Sequence, residues 1–150
     1  MSFSGAKVYA RGRMTEDLGY EEWSDGFNFE NIPRTMQNRA YHLELGEASD
    51  SKMNQDNLTG IVPLRVRLLL AGFKDPKTKI DDATIIAESV VDEFLDPINR
   101  LTQGASNGGK ITNIFFRNKS VTPYGASNDN LMWAVLNFEF QFIRSTRRSE

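Results

Sequence analysis

The stretch LMWAVLNFEFQFIR, residues 131–144, decides the fold of this chain. Side chains of a β-strand alternate between two faces, so positions two apart lie on one face of a sheet. The odd positions change from apolar at Trp133 to polar at Asn137, Glu139 and Gln141. The even positions are apolar throughout, which predicts a long strand with a core face rather than an exposed stacking platform. These core positions are Met132, Ala134, Leu136, Phe138, Phe140 and Phe142.

Three further segments have the pattern of strands. Residues 40–45 alternate between apolar and polar side chains, and residues 111–117 are rich in apolar and β-branched types. In residues 61–73, alternate leucines and a valine share one face, while Arg65 and Arg67 occupy the other. Two of the four strands precede, and two follow, the only connection that is long enough to hold a helix. The simplest arrangement is therefore a mainly antiparallel four-stranded sheet.

The crossover contains the clearest helix pattern. Asp81 and Asp82 are suited to a helix N-terminus, where carboxylates complement the helix dipole. Pro97 disfavours helical geometry at Asp96, so the helix is predicted to end there and Asp96 to cap a new turn. Between these limits an apolar stripe recurs every three or four residues: Ala83, Ala87, Val90, Val91 and Phe94.

Two polar or irregular segments complete the chain. Residues 4–18 are predicted to form a short helix with Ser4 as N-cap, followed by an extended N-terminal arm over residues 19–39. Residues 46–60 offer little to bury and are predicted to form a long exposed loop that serves assembly. The whole is an α+β fold in a single domain, in which a long helix covers the sheet and residues 40–144 hold the core.

Composition limits the possible functions. The 150 residues are 39% hydrophobic and 25% charged with a formal net charge of -2, so no global field attracts nucleic acid or a membrane. The chain has no Cys, which excludes disulfides and thiolate metal ligands and fits assembly in a reducing cytoplasm. No apolar stretch is long enough for a membrane span, and the N-terminus does not resemble a signal peptide.

Few residues suggest catalysis. The stretch GASNGGK at residues 104–110 has the spacing of a phosphate-binding loop, but Ile111 replaces the hydroxyl residue that holds magnesium. It also follows a helix and opens a strand, the reverse of the usual order. His42 is predicted to be an exposed strand histidine, and Glu88 and Asp92 to belong to a solvated helix face. We therefore predict a protein that is not an enzyme and has no cofactor or metal.

The basic residues leave two interpretations open. Arg65 and Arg67, with Arg144, Arg147 and Arg148 near the C-terminus, are able to contact the phosphates of passing DNA. Salt bridges to neighbouring subunits explain the same residues equally well. The sequence lacks the interleaved basic and aromatic pattern of a specific nucleic-acid binder.

The organisation of the chain resembles that of tail terminator proteins of tailed bacteriophages. The resemblance covers roughly residues 31–144 and is one of pattern and size. The chain differs from the simplest pattern of the family in its long polar loop and its aromatic N-terminal arm. The segments that carry the resemblance are NIP at residues 31–33, NRAYHLEL at 38–45, RVRL at 65–68, VVDEF at 90–94 and the strand from Trp133 to Phe142.

The resemblance implies a ring, typically of six copies, that caps the tail tube, ends its polymerisation and offers a head-joining surface in the virion neck. The implied partners are other copies of the chain, the tail tube protein, head-tail connector proteins and DNA in the lumen, after assembly in the host cytoplasm. Alternatives are a head-tail connector or tail-completion adaptor, a host-type adaptor protein, and a small ligand-binding or enzymatic α+β domain. We expect interface contacts at Trp23, Phe27, Arg34, Arg39, Asp50, Lys52, Asp56, Arg65, Arg67, Arg147 and Arg148.

Overall fold

The computed structural model describes residues 2–23, 40–47, 49–52, 57–70, 78–99, 105–106, 109–123 and 132–145. Over these ranges the chain forms a mostly antiparallel sheet with helices packed on one face. In chain order the elements are α1 (Ser2–Arg11), which continues into a π-helical segment (Gly12–Asp17), β1 (Glu21–Glu22), β2 (Ala40–Leu45), β3 (Ser49–Lys52), β4 (Asn57–Leu70), α2 (Lys79–Leu95), β5 (Ala105–Ser106), β6 (Gly109–Pro123) and β7 (Met132–Ser145).

Strand β7 lies at the centre of the sheet, whose order is β1-β2-β4-β7-β6-β5, with β3 also paired to β4. β7 pairs with β4 along its whole length and with β6 from Met132 to Arg144, and among the described strands only the β1–β2 pair is parallel. The prediction of four strands is wrong, because the described part of the sheet has seven. Four long strands occupy the predicted places, and the additional strands β1, β3 and β5 have only two to four residues.

The predicted loop over residues 46–60 is largely a hairpin. β3 pairs with β4 from Ser49 opposite Ile61 to Lys52 opposite Leu58, and β4 itself begins at Asn57. Backbone hydrogen bonds do not require apolar side chains, so a strand that adds to a sheet edge need not show a hydrophobic alternation. The prediction of a loop is therefore wrong over β3 and the start of β4, because a polar sequence does not distinguish an edge strand from a loop.

An interruption separates β2 from β3 along the edge of β4. Leu45 pairs with Leu64 and Ser49 with Ile61, so the chain between them contains one residue more than β4 does. At this point the Gly46 N–H donates to the Pro63 carbonyl over 2.8 Å. The N and O atoms of a strand residue point to the same edge, so the missing N–H of Pro63 falls at the interruption and leaves the β4–β7 ladder intact.

The predicted crossover helix is confirmed. α2 begins at Lys79, with Thr78 as N-cap residue, and Asp81 and Asp82 lie in its first turn. It ends at Leu95, and the Asp96 carboxylate accepts a hydrogen bond of 2.9 Å from the N–H of Ile98, which caps the next turn as predicted. All five stripe residues are buried.

The N-terminal helix is also confirmed, but it begins at Ser2, so the prediction of Ser4 as N-cap is wrong. Gly19, with a φ of +74°, follows the helix in the left-handed region that glycine adopts without strain. Because α1 and the π-helical segment bury Ala6, Tyr9, Ala10 and Met14, two helices share the cover of the sheet, not the one long helix that was predicted.

Aromatic packing joins the two helices to β7. The ring of Tyr9 makes edge contacts with Phe94 and Phe140, at centroid distances of 6.1 and 5.7 Å. Phe94 stacks on Phe138 at 4.7 Å. The Tyr9 hydroxyl donates to the Phe94 carbonyl over 2.8 Å, and burial raises the pKa of Tyr9 to about 12. Every even position of β7 from Met132 to Phe142 is buried, as predicted.

The start of the predicted arm is part of the sheet. Glu21 and Glu22 form the parallel edge strand β1, and the N–H of Trp23 donates to the Tyr41 carbonyl over 2.7 Å. The remainder of the predicted arm, residues 24–39, lies outside the described residues. Of the helices that the structure describes, none is long and apolar enough to cross a membrane.

Candidate interaction surface

The sheet face opposite the helices carries a row of polar side chains, which we call the polar row. It consists of Glu44 of β2, Arg65 of β4, Asn137 of β7 and Asn118 of β6, each opposite the next in the strand register. Directly paired residues of antiparallel strands point to the same face, so all four side chains lie on the outer face. With strands about 4.8 Å apart, the polar row spans about 14 Å.

Hydrogen bonds connect the members of the polar row. Arg65 Nε donates to Asn137 Oδ1 over 3.0 Å, and Asn137 Nδ2 donates to Asn118 Oδ1 over 2.6 Å. Arg65 Nη1 lies 3.9 Å from Glu44 Oε1. Each side chain therefore restricts the rotamers of its neighbours, and the polar row presents fixed donors and acceptors at the surface.

Arg67 contacts Glu44, the residue at one end of the polar row. Its Nη1 donates to Glu44 Oε2 over 2.8 Å, and its side chain is only 6% exposed. This hydrogen bond, followed by the charges of Arg67 and Arg65, lowers the pKa of Glu44. The predicted placement of both arginines opposite the leucine face is confirmed, but Arg67 is buried and acts on the surface by orienting Glu44.

A second ion pair lies beside the polar row. Arg117 Nη2 is 2.9 Å from Glu139 Oε2, and this hydrogen bond raises the pKa of Arg117. The Arg117 guanidinium carbon also lies 5.1 Å from the centroid of the Phe115 ring. A register shift between Phe116 and Asn118 accompanies this arrangement, because the extra residue of a bulge re-aims a side chain.

The polar row and the second pair surround a shallow depression of about 250 Å³ on the outer face. Arg65 and Arg117 are both about half exposed there, at 46% and 51%. The depression is lined by these two arginines with Glu44, Gly46, Pro63, Leu64, Asn118, Asn137, Phe138 and Glu139.

Another polar cluster joins the π-helical segment to the end of α2. Arg13 is 3% exposed, and its Nε lies 2.8 Å from Asp17 Oδ2 while its guanidinium covers the Tyr9 ring at 5.0 Å. A hydrogen bond with Asp17 raises the pKa of Glu93, which also accepts from Asn99 Nδ2 over 3.0 Å. A depression of about 400 Å³ adjoins this segment. The cluster connects the N-terminal helix to α2.

The residues considered for catalysis lie apart. His42 is half-buried and not exposed as predicted, since its Nδ1 lies 2.8 Å from the Trp23 carbonyl. Lys110 is in β6 opposite Ile143, in the strand context that the sequence predicted. Glu88 and Asp92 are exposed as predicted, and Glu88 Oε1 is 3.2 Å from Lys119 Nζ. In the described ranges no group of three or more His, Asp or Glu side chains is placed to hold a metal ion.

Five of the predicted interface residues fall in the described ranges. Arg65 and Arg67 meet at Glu44, Trp23 docks on β2, and Asp50 and Lys52 lie on β3. The other six, Phe27, Arg34, Arg39, Asp56, Arg147 and Arg148, lie outside the described residues and stay predictions.

Sequence reasoning missed the other members of this surface: Glu44, Arg117, Asn118, Asn137 and Glu139. The signal was the change from apolar to polar side chains along the odd positions of residues 131–144. That change marked an outer face on β7 but did not show which residues of β2, β4 and β6 lie beside it.

No protein-family model matches the chain, and no curated protein matches it either.

Proposed function

We propose that this chain is a structural subunit of the phage tail terminator type, which forms a ring on the end of the tail tube. In this role the ring stops tube polymerisation and provides the surface that joins the head. The observation that carries the proposal is the outer sheet face, where fixed polar side chains form an open surface over four strands. The resemblance in pattern and size supplies the particular assembly.

The geometry of the polar row supports protein binding. A side chain that is free in solution loses about 0.5 to 1.5 kcal/mol of conformational freedom when an interface immobilises it. Arg65, Asn137 and Asn118 already restrain one another by hydrogen bonds, so binding a partner costs less of this freedom. Arg65 and Arg117 also remain half exposed, and arginine is enriched in protein interfaces.

The three arginines of the outer face, Arg65, Arg67 and Arg117, are engaged in ion pairs with Glu44 and Glu139 of the same face. Such pairs orient a surface and select partners by charge complementarity. We therefore propose a role in joining proteins and not in catalysis. The predicted contacts of the β3–β4 hairpin with a neighbouring copy or with the tube belong to the same proposal.

The experiment is to disrupt the gene in the phage that encodes the chain and to measure tail lengths by electron microscopy. A terminator is expected to leave tails of uncontrolled length without heads, and expression of the wild-type chain should restore normal particles. Tails of normal length that lack heads would support the alternative role of a head-tail connector. Infectious particles of normal form in the absence of the protein would contradict both roles.

A variant with a shortened β3–β4 hairpin sharpens this test. The replacement of residues 49–56 by a short Gly-Asn turn removes β3 but keeps the part of β4 that pairs with β7. We expect the purified variant to fold, as measured by its melting curve, and to fail in restoring tail length. Full complementation would exclude the hairpin from the assembly contacts.

A further inference from the structure

The exposed side of α2 and the outer face of the sheet carry opposite charge. Residues 80–99 contain six carboxylates and no Lys or Arg. Asp81, Asp82, Glu88 and Asp92 are exposed, and Ile85 lies among them with 65% of its surface accessible. The exposed Ile85 side chain therefore offers an apolar contact with carboxylates on either side of it along the helix.

Helical spacing gathers these residues on one side of α2. Asp81, Ile85, Glu88 and Asp92 follow one another at intervals of four, three and four, which is the repeat of a single helix face. The buried stripe, including Ala87 and Phe94, follows the opposite side. We call Asp81, Ile85, Glu88 and Asp92 the acidic stripe. It lies on the side of α2 opposite the buried stripe, and at its border Glu88 Oε1 is also 3.2 Å from Lys119 Nζ of β6.

The outer face of the sheet has the complementary charge. Among the described residues, Arg65, Arg67, Lys110 and Arg117 lie on it with Glu21, Glu44 and Glu139, which leaves an excess of one positive charge. The exposed halves of Arg65 and Arg117 lie on the rim of the 250 Å³ depression. Each guanidinium has several donors, so it is able to bind a second carboxylate while it keeps its present partner.

We propose that the acidic stripe of one copy docks on the outer sheet face of a second copy, with Ile85 in the depression and Glu88 and Asp92 at Arg65 and Arg117. This inference rests on the proposed function and names the surfaces of its ring. The two surfaces lie on opposite layers of one molecule, so the contact is head-to-tail and each added copy exposes a new acidic stripe. A symmetric contact would instead place two acidic stripes or two basic faces together.

The test is an exchange of charges between the two surfaces. One variant carries Glu88→Lys and Asp92→Lys, and the other carries Arg65→Glu and Arg117→Glu. We expect each variant alone to self-associate roughly a hundredfold more weakly than the wild type in sedimentation velocity at low salt, because like charges then face each other. An equimolar mixture should associate again, since each variant supplies the charge that the other lacks.

A matched control reverses two exposed carboxylates away from both surfaces, Glu16→Lys in the π-helical segment and Glu22→Lys beside Arg11 of α1, and changes the net charge as much as the first variant does. We expect this control to associate like the wild type. Melting curves of all variants identify any loss of association that comes from unfolding. If both surface variants associate like the wild type, a different protein binds these surfaces and the inference is overturned.

Cross-linking tests the same contact even when association is transient. The chain has no Cys, so Ser89→Cys beside the acidic stripe and Ser120→Cys on the outer face introduce unique thiols. With a short bismaleimide the double variant should give a ladder of multimers, whereas either single variant should remain uncross-linked. Dimers from a single variant would indicate a symmetric contact, and an absence of cross-links from the double variant would overturn the inference. Tail lengths in the gene disruption decide the proposed function separately.

Discussion

The two faces of β7 differ in how they are stabilised. Phe138 and Phe140 lie under α1 and α2 in a dry aromatic core, whereas Asn137 and Glu139 alternate with them and face the opposite side. The inner face contributes burial of apolar surface, and the outer face contributes hydrogen bonds and ion pairs that remain near water. One strand therefore has a side that stabilises the fold by apolar burial and a side that presents polar groups at the surface.

The largest expected effect is on the inner face. Phe138→Ala should lower the free energy of unfolding by about 4 kcal/mol, through lost burial and the cavity beside Phe94 and Phe116. The neighbouring Glu139→Ala should cost less than about 1 kcal/mol because its ion pair with Arg117 is exposed. Urea unfolding of both variants measures the difference, and equal losses would contradict the contrast between the faces.

Arg67 tests whether any outer-face group is structural. Arg67→Met should cost about 1.5 kcal/mol at neutral pH, because a buried charged hydrogen bond to a partly exposed Glu44 is lost. The half-exposed Arg65→Met is the control and should cost less than about 0.5 kcal/mol.

The cost of Arg67→Met should depend on pH. The pKa of Glu44 is lowered in the folded state, so its pairing stabilises the fold above the unfolded-state pKa and is lost as pH falls through the folded value. The difference between wild type and variant should therefore be full above roughly pH 5 and decline below roughly pH 4. A difference that is constant from neutral to acid pH would show that Arg67 acts by packing alone.

Gly46, beside Pro63 of β4, and Gly12, in the π-helical segment, differ in the space around them. A Cβ on Gly46 would lie 3.1 Å from Cβ and 3.2 Å from Cγ of Pro63, so Gly46→Ala should cost about 1 kcal/mol. At Gly12 the nearest atom to an added Cβ is Glu16 Oε2 at 3.9 Å, so Gly12→Ala should stabilise the helix by about 0.5 kcal/mol. Thermal melts of the two variants should shift in opposite directions.

The smallest effect is expected where the helices meet. Glu93→Gln should raise the free energy of unfolding at neutral pH by about 0.5 kcal/mol, because it removes one charge beside Asp17. The pKa of Glu93 is raised in the folded state, so the stability gained from its protonated form is present below the unfolded-state pKa and lost as pH rises. The two proteins should therefore converge in acid, and a gap that persists at roughly pH 3 would contradict this assignment.

The sequence predicted those elements in which apolar residues recur at a regular spacing. The alternation in residues 131–144 and the stripe from Ala83 to Phe94 specify which side chains are buried, and the structure confirms both. The hairpin of β3 was missed because its pairing rests on backbone groups. Patterns of burial carry no information about such pairing.

The polar row could not be predicted from the spacing of residues along the chain, because it depends on the register between strands. Arg65 and Arg67 look equivalent in the sequence, yet Arg67 lies between His42 and Val135 while Arg65 lies between Glu44 and Asn137. Asn118 reaches Asn137 only after register shifts at residues 111–113 and 116–118. A single register error moves a side chain to the other face, so the polar row followed only from the structure.

The described sheet ends on both sides in a strand of two residues, β1 and β5. Exposed edges of long strands recruit further strands from other molecules, and very short edge strands are one way in which proteins prevent this. β1 covers only Ala40 and Tyr41 of β2, and β5 covers only Gly109 and Lys110 of β6. Among the described strands the rest of β6 has no neighbour on that side, so its edge is a route for joining copies besides the broad faces.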